Sequence, residues 1–237
     1  MKVLLTGGSG RLGTELKKHL DCIAPSSKEF NITREDSVEY YLDGFRGSIQ
    51  TVIHCAAYTD VPGAEKNNKD AVLRNIIGTR NISDWLGYYR IVYISSDYVY
   101  PGIKGDYKET DQTAPFNFYG FTKLAGESFM RPEKDLIIRT SFKPNIPWPY
   151  PKAFADLYTC ADYIDIIAKD IASLAASDMT GIINVGTQKK SIYELAHSRN
   201  PQVGKMSRGE IVNVNMPLDI SMNLDRLNNF KKLKMEE

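Results

Sequence analysis

The sequence predicts a doubly wound α/β fold built on a parallel sheet, and three observations predict it. Short apolar runs alternate with stretches of helical spacing along most of the chain. The runs are nearly continuous in Val, Ile and Leu, as expected of strands covered on both faces. A glycine-rich turn stands at the first strand–helix junction, where such sheets approach phosphates. Strict alternation implies right-handed crossovers with helices on both sides of the sheet.

Taken in order, "KVLLT" (2–6), "DCIA" (21–24), "TVIHCAA" (51–57), "IVYISS" (91–96), "LIIRTS" (136–141) and "GIINVG" (181–186) read as strands. Between them "LGTELKKHL", "REDSVEYYLDGF", "DAVLRNIIGTRNISDWL" and "YGFTKLAGESFM" space their apolar residues as helices do. Thr33 with Asp36 resembles a capping box at the start of the second helix. Beyond Ser141 the pattern loosens. "FKPNIPWPYPKAF" carries four prolines in thirteen residues and reads as loop. An amphipathic helix follows in "CADYIDIIAKDIASLAAS" (160–177), then the sixth strand and a helix "SIYELAHSR" capped by Ser191. "MPLDISMNLDRLNNFKK" has only weak periodicity. The expected division is a dinucleotide-binding Rossmann domain over 1–142. Residues 143–237 would form a small C-terminal lobe, interleaved with the last strand and helices of the core.

With 237 residues, 42% hydrophobic and 25% charged, the composition is that of a globular protein. The net charge of +1 gives no electrostatic case for nucleic acid or an acidic membrane surface. Cys22, Cys55 and Cys160 are far apart, without a CxxC pair, and His19, His54 and His197 do not cluster with them. A metal site or disulfide framework is therefore not expected, and a reducing compartment fits best. The first residues enter a strand and a glycine turn at once, which leaves no room for a signal peptide. No apolar run approaches the ~20 residues of a membrane span. A cytoplasmic protein is expected.

"TGGSGRLG" fits G-x-x-G-x-x-G through Gly7, Gly10 and Gly13, and G-x-G-x-x-G through Gly8, Gly10 and Gly13. Glycines there permit a tight turn, close approach of backbone to a pyrophosphate, and close helix–strand packing. The helix N-terminus adds free N–H groups and partial positive charge. A dinucleotide that keeps a ribose 2′-OH usually meets an acid at the end of the second strand. That region here reads "CIAPSSKEF", so Ser26 and Lys28 stand where a carboxylate would repel a 2′-phosphate. Arg11, directly after Gly10, adds a second cation, and Glu29 is the opposing charge. The balance favours NADP(H), with NAD(H) as the alternative.

The fourth strand ends in "YISSDYVY", and ligands bind outside the carboxyl ends of strands in such sheets. Ser95, Ser96 and Asp97 therefore fall where a nicotinamide ring would lie. Tyr119 and Lys123, four apart in "NFYGFTKLAGE", share one helical face with Cβ atoms about 6 Å apart. A free phenol titrates near 10, poorly matched to proton transfer at neutral pH. An ammonium ~5 Å away at an effective dielectric near 20 would favour the phenolate by about 3 kcal/mol, roughly two pK units. The Ser96 hydroxyl would orient and stabilise the same carbonyl oxygen.

"CAAYTDVPGAE", "ISSDYVYPG", "YKETDQTAPFNFYGFTKLAGE" and "IIRTSF" together resemble the dTDP-4-dehydrorhamnose reductase family of extended short-chain dehydrogenases. The likeness covers roughly residues 1–142, and more faintly 160–224. It implies that Ser96, Asp97, Tyr119 and Lys123 are catalytic, with Tyr119 the proton donor and Lys123 its partner. It further implies that Gly10, Arg11 and Leu12 hold the pyrophosphate and that Asn31 and Ile32 flank the adenine. Ala56, Ala57 and Tyr58 would line the cofactor groove, supported by Asn75, and Tyr98 and Phe142 would face the sugar. Three departures stand out: Ser96 replaces the family's usual Thr, Asn31 its Asp, and Phe142 its Trp. Only about twenty residues separate "RTSF" from "DYIDIIAKDI", where the family fits a helix and a further loop, so the resemblance implies that 143–237 is a truncated substrate-binding lobe.

The resemblance implies an NADP(H)-dependent reductase of a nucleotide-linked 4-keto-6-deoxy sugar, working as a homodimer or alone. A 4,6-dehydratase is disfavoured, because that branch places Glu after the strand-end Asp and here Tyr98 follows Asp97. A nucleotide-sugar 4-epimerase uses the same Ser-Tyr-Lys set. The regulatory β subunit of methionine adenosyltransferase also resembles this family, so a dinucleotide-binding partner protein is the non-catalytic alternative.

Overall fold

Six short strands pair in parallel in the order β2-β1-β3-β4-β5-β10. They are β1 (Val3–Thr6), β2 (Cys22–Ile23), β3 (Thr51–His54), β4 (Arg90–Ile94), β5 (Leu136–Thr140) and, after β6–β9 below, β10 (Gly181–Val185). Five fall inside the expected apolar runs, and β4 begins one residue ahead of its run, at Arg90. The computed structural model describes residues 2–43, 49–211 and 216–236. The end of the second expected helix, at 44–45, lies outside the described residues.

Alternate residues of the buried strands face opposite sides, so the sheet carries two cores. Val3, Leu5 and Ile53 pack with Leu12 and Leu16 of α1 (Arg11–Leu16), and with Ile164, Ile167 and Ile171 of α7 (Ile164–Ala175). Leu4 and Val52 point the other way, onto Val38 of α2 (Glu35–Asp43) and Ile82 and Leu86 of α5 (Gly78–Leu86). Each such buried side chain contributes roughly 1.5–3 kcal/mol. The first helix of the pair 70–86 differs from a continuous run. After α3 (Val61–Lys66), α4 (Asn68–Val72) passes through a π turn at Leu73–Ile77 before α5 begins.

The chain reverses direction about β1: β2 lies on one side of it and β3 on the other. The crevice at the carboxyl ends of β1 and β3 is the switch point at which such sheets bind ligands. The helix α6 (Phe118–Glu127) stands beside it, between β4 and β5 in sequence.

After β5 the chain makes three two-stranded pairings: β6 (Phe142–Lys143) with β9 (Asp162–Tyr163), β7 (Lys152–Phe154) with β12 (Gly204–Met206), and β8 (Tyr158–Thr159) with β11 (Lys190–Ser191). Residues 144–151, the proline-rich stretch, hold no strand or helix, but β7 and β8 follow at once. α8 (Ile192–His197) opens with a capping box in which Ser191 and Glu194 each accept the other's backbone N–H. The box expected at Thr33 and Asp36 does not form. Thr33 donates its N–H and hydroxyl to Asn31 Oδ1, and Asp36 pairs with Arg34 at 2.5 Å. The weakly periodic tail holds α9 (Asp225–Glu236), which buries only Leu227 and Phe230, too sparse a stripe to read from sequence.

Candidate functional site

The glycine turn is built by close contact. Gly7 has φ +71°, and a Cβ there would lie 2.7 Å from Ala56 N. A Cβ on Gly13 would meet Gly7 O at 2.3 Å, so α1 can start this near β1 only without side chains. Gly10, in contrast, faces open space apart from Gly7 O and caps α1 without a side-chain bond. Its neighbours Arg11 and Leu12 therefore begin the helix with N–H groups directed at the crevice. Leu12 itself is buried in the core with α7, so only its backbone is available to a phosphate.

The opposite wall follows β3. The Ala56 N–H donates to Thr6 Oγ1 at 3.2 Å, and that hydroxyl contacts His54 Nδ1 at 2.7 Å. His54 Nε2 lies 3.1 Å from Thr79 Oγ1, and burial holds the ring neutral, its pKa pushed down to about 3. Ala57 and Tyr58 continue this half-buried wall. Asn75, fully buried within the π turn, accepts the Tyr58 N–H at 2.7 Å and donates to Tyr58 O at 3.1 Å and Thr122 Oγ1 at 2.9 Å. Thr122 donates in turn to Tyr119 O at 2.8 Å. The π turn thus ties the groove wall to the helix that carries Tyr119, a use such turns often have.

Past the end of β2, Ser27, Lys28, Asn31, Arg34, Asp36, Ser37 and Tyr40 line an open depression, with Arg34 paired to Asp36. Lys28 is exposed. Glu29, the opposing charge, is engaged: the Ser26 N–H and hydroxyl both donate to it and hold its carboxyl below the usual range. Ser26 is thereby used within the loop. Arg34 is a second cation here that sequence reasoning missed, although its position after "NIT" was readable. Arg11 is not at this end. It is exposed at the first position of α1 and is not one of the residues that line the depression. Ile32 is a core residue, buried against Gly78, and Asn31 Oδ1 is occupied by Thr33.

Ser96, Asp97 and Tyr119 come together past the end of β4. Ser96 caps a 3-10 turn over Asp97–Val99, accepting the Tyr98 N–H at 3.1 Å and donating to Asp97 Oδ1 at 3.2 Å. Tyr119, on α6, packs beside this turn. A Cβ on Gly120 would lie 2.2 Å from Tyr98 O, so this glycine lets α6 close directly onto the turn. Asn117 caps α6 by accepting the Gly120 N–H at 2.7 Å. The Tyr98 ring stands edge-on to Tyr119 and Phe116, with centroids 6.2 and 5.2 Å away. Phe142 does not join this aromatic group; it packs against the α1–α7 core.

The electrostatics differ from the expectation at Tyr119. Its pKa is raised, first by burial and then by Asp97, with the Ser96 hydroxyl opposing. Lys123 does not lower it. The ammonium lies 4.1 Å from the Tyr93 ring centroid, buried, and desolvation pulls its pKa down to about 7 against Glu127 and Cys55. Burial of both groups outweighs the pairing that i,i+4 spacing suggested. Asp97 is pushed up to about 7, by burial above all, with Lys143 among the groups opposing. Ser95 is drawn away from the crevice: its hydroxyl donates to Glu127 Oε1 at 2.5 Å. Glu127 also forms a buried pair with Arg139, Nη2 to Oε2 at 2.7 Å. Sequence reasoning missed that pair and Lys143; nothing in the spacing marked either. Among the described residues no cluster of side chains could hold a metal ion, and no helix is long and apolar enough to cross a membrane.

The sheet order, glycine turn and Ser-Tyr-Lys set define a Rossmann protein of the short-chain dehydrogenase type. The chain belongs to the family whose model is described as RmlD substrate binding domain, which matches residues 1–143. It is similar to a dTDP-4-dehydrorhamnose reductase of Aggregatibacter actinomycetemcomitans, 34% identical over 60% of this chain and 51% of that protein. It is also similar to the Bacillus subtilis spore coat polysaccharide biosynthesis protein SpsK, 38% identical over 60% and 53%. The chain spans about half the length of the curated relatives it matches. Among solved structures, a Bacillus anthracis dTDP-4-dehydrorhamnose reductase in complex with NADP superposes with TM-score 0.86 at 28% identity, covering 97% of this chain and 92% of that one.

Proposed function

We propose that the protein is an NADP(H)-dependent reductase of a nucleotide-linked 4-keto-6-deoxy sugar, making a deoxyhexose donor of the rhamnose-nucleotide kind. The observation that carries this reading is a buried Tyr119 phenol, held protonated beside the Ser96–Asp97 turn past the end of β4. Reduction of a carbonyl needs an acid at its oxygen, and a phenol with a raised pKa is in the donating form at neutral pH. The glycine cradle fits a dinucleotide: Gly10 leaves room for a pyrophosphate, and Gly7 and Gly13 admit no side chain.

When bound, NADPH supplies the hydride. Ser96 would orient the sugar C4 oxygen, and Tyr119 would deliver the proton to it. Lys123 would hold the nicotinamide ribose. Lys28 and Arg34 would meet the 2′-phosphate, with the Ala56–Tyr58 wall against the cofactor. Tyr98 and Phe116 offer an apolar edge to the sugar face. The bound NADP of the Bacillus anthracis protein supports the choice of cofactor, and the names of the relatives support a dTDP-sugar. Three free cysteines suit a reducing, cytoplasmic setting.

The test is incubation with NADPH and dTDP-, UDP- and GDP-linked 4-keto-6-deoxy sugars, followed by product identification. A reduced dTDP-deoxyhexose is the expected product. Tight NADPH binding with no turnover on any of the sugars would favour the partner-protein alternative.

A further inference from the structure

Lys123 is buried, 2% exposed, and its side chain makes no hydrogen bond or ion pair among the described residues. Glu127, one helical turn on, is spent elsewhere. Ser95 donates to its Oε1 at 2.5 Å, and Arg139 donates to both its oxygens, at 3.0 and 2.7 Å. What the ammonium does meet is the face of Tyr93, 4.1 Å from the ring centroid.

That ring is fixed from several sides. Tyr93 lies in β4 with no exposed surface and packs in the core with Ile82 and Leu86 of α5. Its hydroxyl donates to the Lys123 backbone carbonyl at 3.3 Å, so one residue holds both the root and the tip of the lysine. A Cβ on Gly126 would lie 2.2 Å from that hydroxyl, so α6 can come this near the ring only with glycine there. The His54 ring stands 5.7 Å away, at the paired position of β3.

A ring face suits this ammonium. Burial disfavours the charge, and the negative face of an aromatic ring attracts a cation without a counter-charge, most strongly where water is excluded. It also leaves donors free: a carboxylate would take the N–H groups, whereas a ring covers one side of the ammonium and leaves the others to a ligand. A lysine without a platform loses rotamer freedom when a ligand orders it; here that ordering precedes the ligand.

We propose that Tyr93 is a positioning residue, whose ring face holds the Lys123 ammonium with its N–H groups free for the ribose on the nicotinamide side of a bound dinucleotide. The proposal rests on the function proposed above, in which Lys123 holds that ribose. Its test keeps the shape of residue 93 and changes only the face: Tyr93→Phe is compared with the same phenyl ring carrying three fluorines, which drain the negative face at nearly constant volume. Both are also made in a Lys123→Met background. NADPH binding is followed by its fluorescence, beside 2′,5′-ADP, which has the adenine end and lacks the nicotinamide riboside.

Tyr93→Phe should bind NADPH within about fivefold of wild type, the effect of one neutral hydrogen bond. The fluorinated ring should weaken NADPH by a further 5- to 30-fold or about that, the range of a desolvated cation–π contact, and leave 2′,5′-ADP unchanged. In Lys123→Met, fluorination should change neither ligand. The pH profile is a second readout. The ionisable groups around the ammonium are Tyr119 and Glu127 on its own helix, His54 at the end of β3, Cys55 after it, and Tyr93. Lys123 titrates at about 7, so NADPH affinity should fall as pH rises through that value, and at lower pH with the fluorinated ring. The fall should be absent in Lys123→Met, which separates it from the titration of Asp97. Equal NADPH affinity for the plain and fluorinated rings, or a loss shared by 2′,5′-ADP, would overturn the platform and leave the reductase reading standing. Failure of the wild type to bind NADPH would overturn both.

Discussion

Tyr119 and Lys123 sit one helical turn apart, yet the fold moves their proton affinities in opposite directions, the phenol up and the ammonium down to about 7. A buried, protonated phenol beside the Ser96 turn is suited to giving a proton rather than taking one. Tyr119→Phe keeps the ring against Tyr98 and removes only the hydroxyl, so turnover should fall by about 10²–10⁴ with NADPH affinity nearly unchanged. Steady-state kinetics beside a binding titration check this; a variant that keeps most of its kcat removes Tyr119 from the chemistry. At the other end of the crevice, Lys28→Ala and Arg34→Ala should each weaken NADPH more than NADH, and equal losses for the two cofactors would reassign the depression. These residues differ in how far sequence disclosed them. Ser96, Tyr119 and Lys123 carry a motif, and the fold brings Ser96 and Tyr119 together. The fate of Ser95, Phe142 and Ile32 depended on which way each side chain turns, and that is decided by neighbours distant in sequence: Glu127, the α7 core and Gly78.

At the scale of elements, the six strands were legible because a strand buried on both faces must be apolar throughout. The π turn was not, because one extra residue in a helical turn leaves no compositional mark, although it is what lets Asn75 grip Tyr58 and Thr122. α6 is fastened to β5 and the end of β4 by the Ser95–Glu127–Arg139 network. Glu127→Gln would leave Arg139 buried without its counter-charge, and should cost about 3–5 kcal/mol in chemical denaturation. A loss under about 1 kcal/mol would mean that water replaces the pair. Asp97, in the turn after β4, gives a pH signature. Its pKa is raised to about 7 from 3.8. The folded protein therefore binds the extra proton between these values, and this contribution to stability is lost as pH rises through 7. Asp97→Asn, which resembles the protonated acid, should gain stability relative to wild type between pH 5 and pH 8. A difference in melting temperature that is the same at both pH values would place Asp97 in water.

For the whole molecule, the glycine turn and five of the six strands of the parallel sheet belong to the first 143 residues, where the family match lies. The rest of the chain returns α7, β10 and α9 to that core and spends its other strands on three two-stranded pairings. Those pairings escaped the sequence reading because strands of two or three residues are too short to show alternation. They reach the carboxyl edge of the sheet through β6, which follows β5 directly. The proposed function puts hydride transfer to a sugar carbonyl at the Ser96–Tyr119 end. The most direct measurement uses NADPH deuterated at nicotinamide C4, in the R and S forms separately, with a dTDP-4-keto-6-deoxy sugar. Deuterium at the sugar C4 of the reduced product, from one of the two forms and lost in Tyr119→Phe, is the predicted result. Recovery of unlabelled, unreduced sugar from both forms, with wild-type protein that binds NADPH, would contradict it.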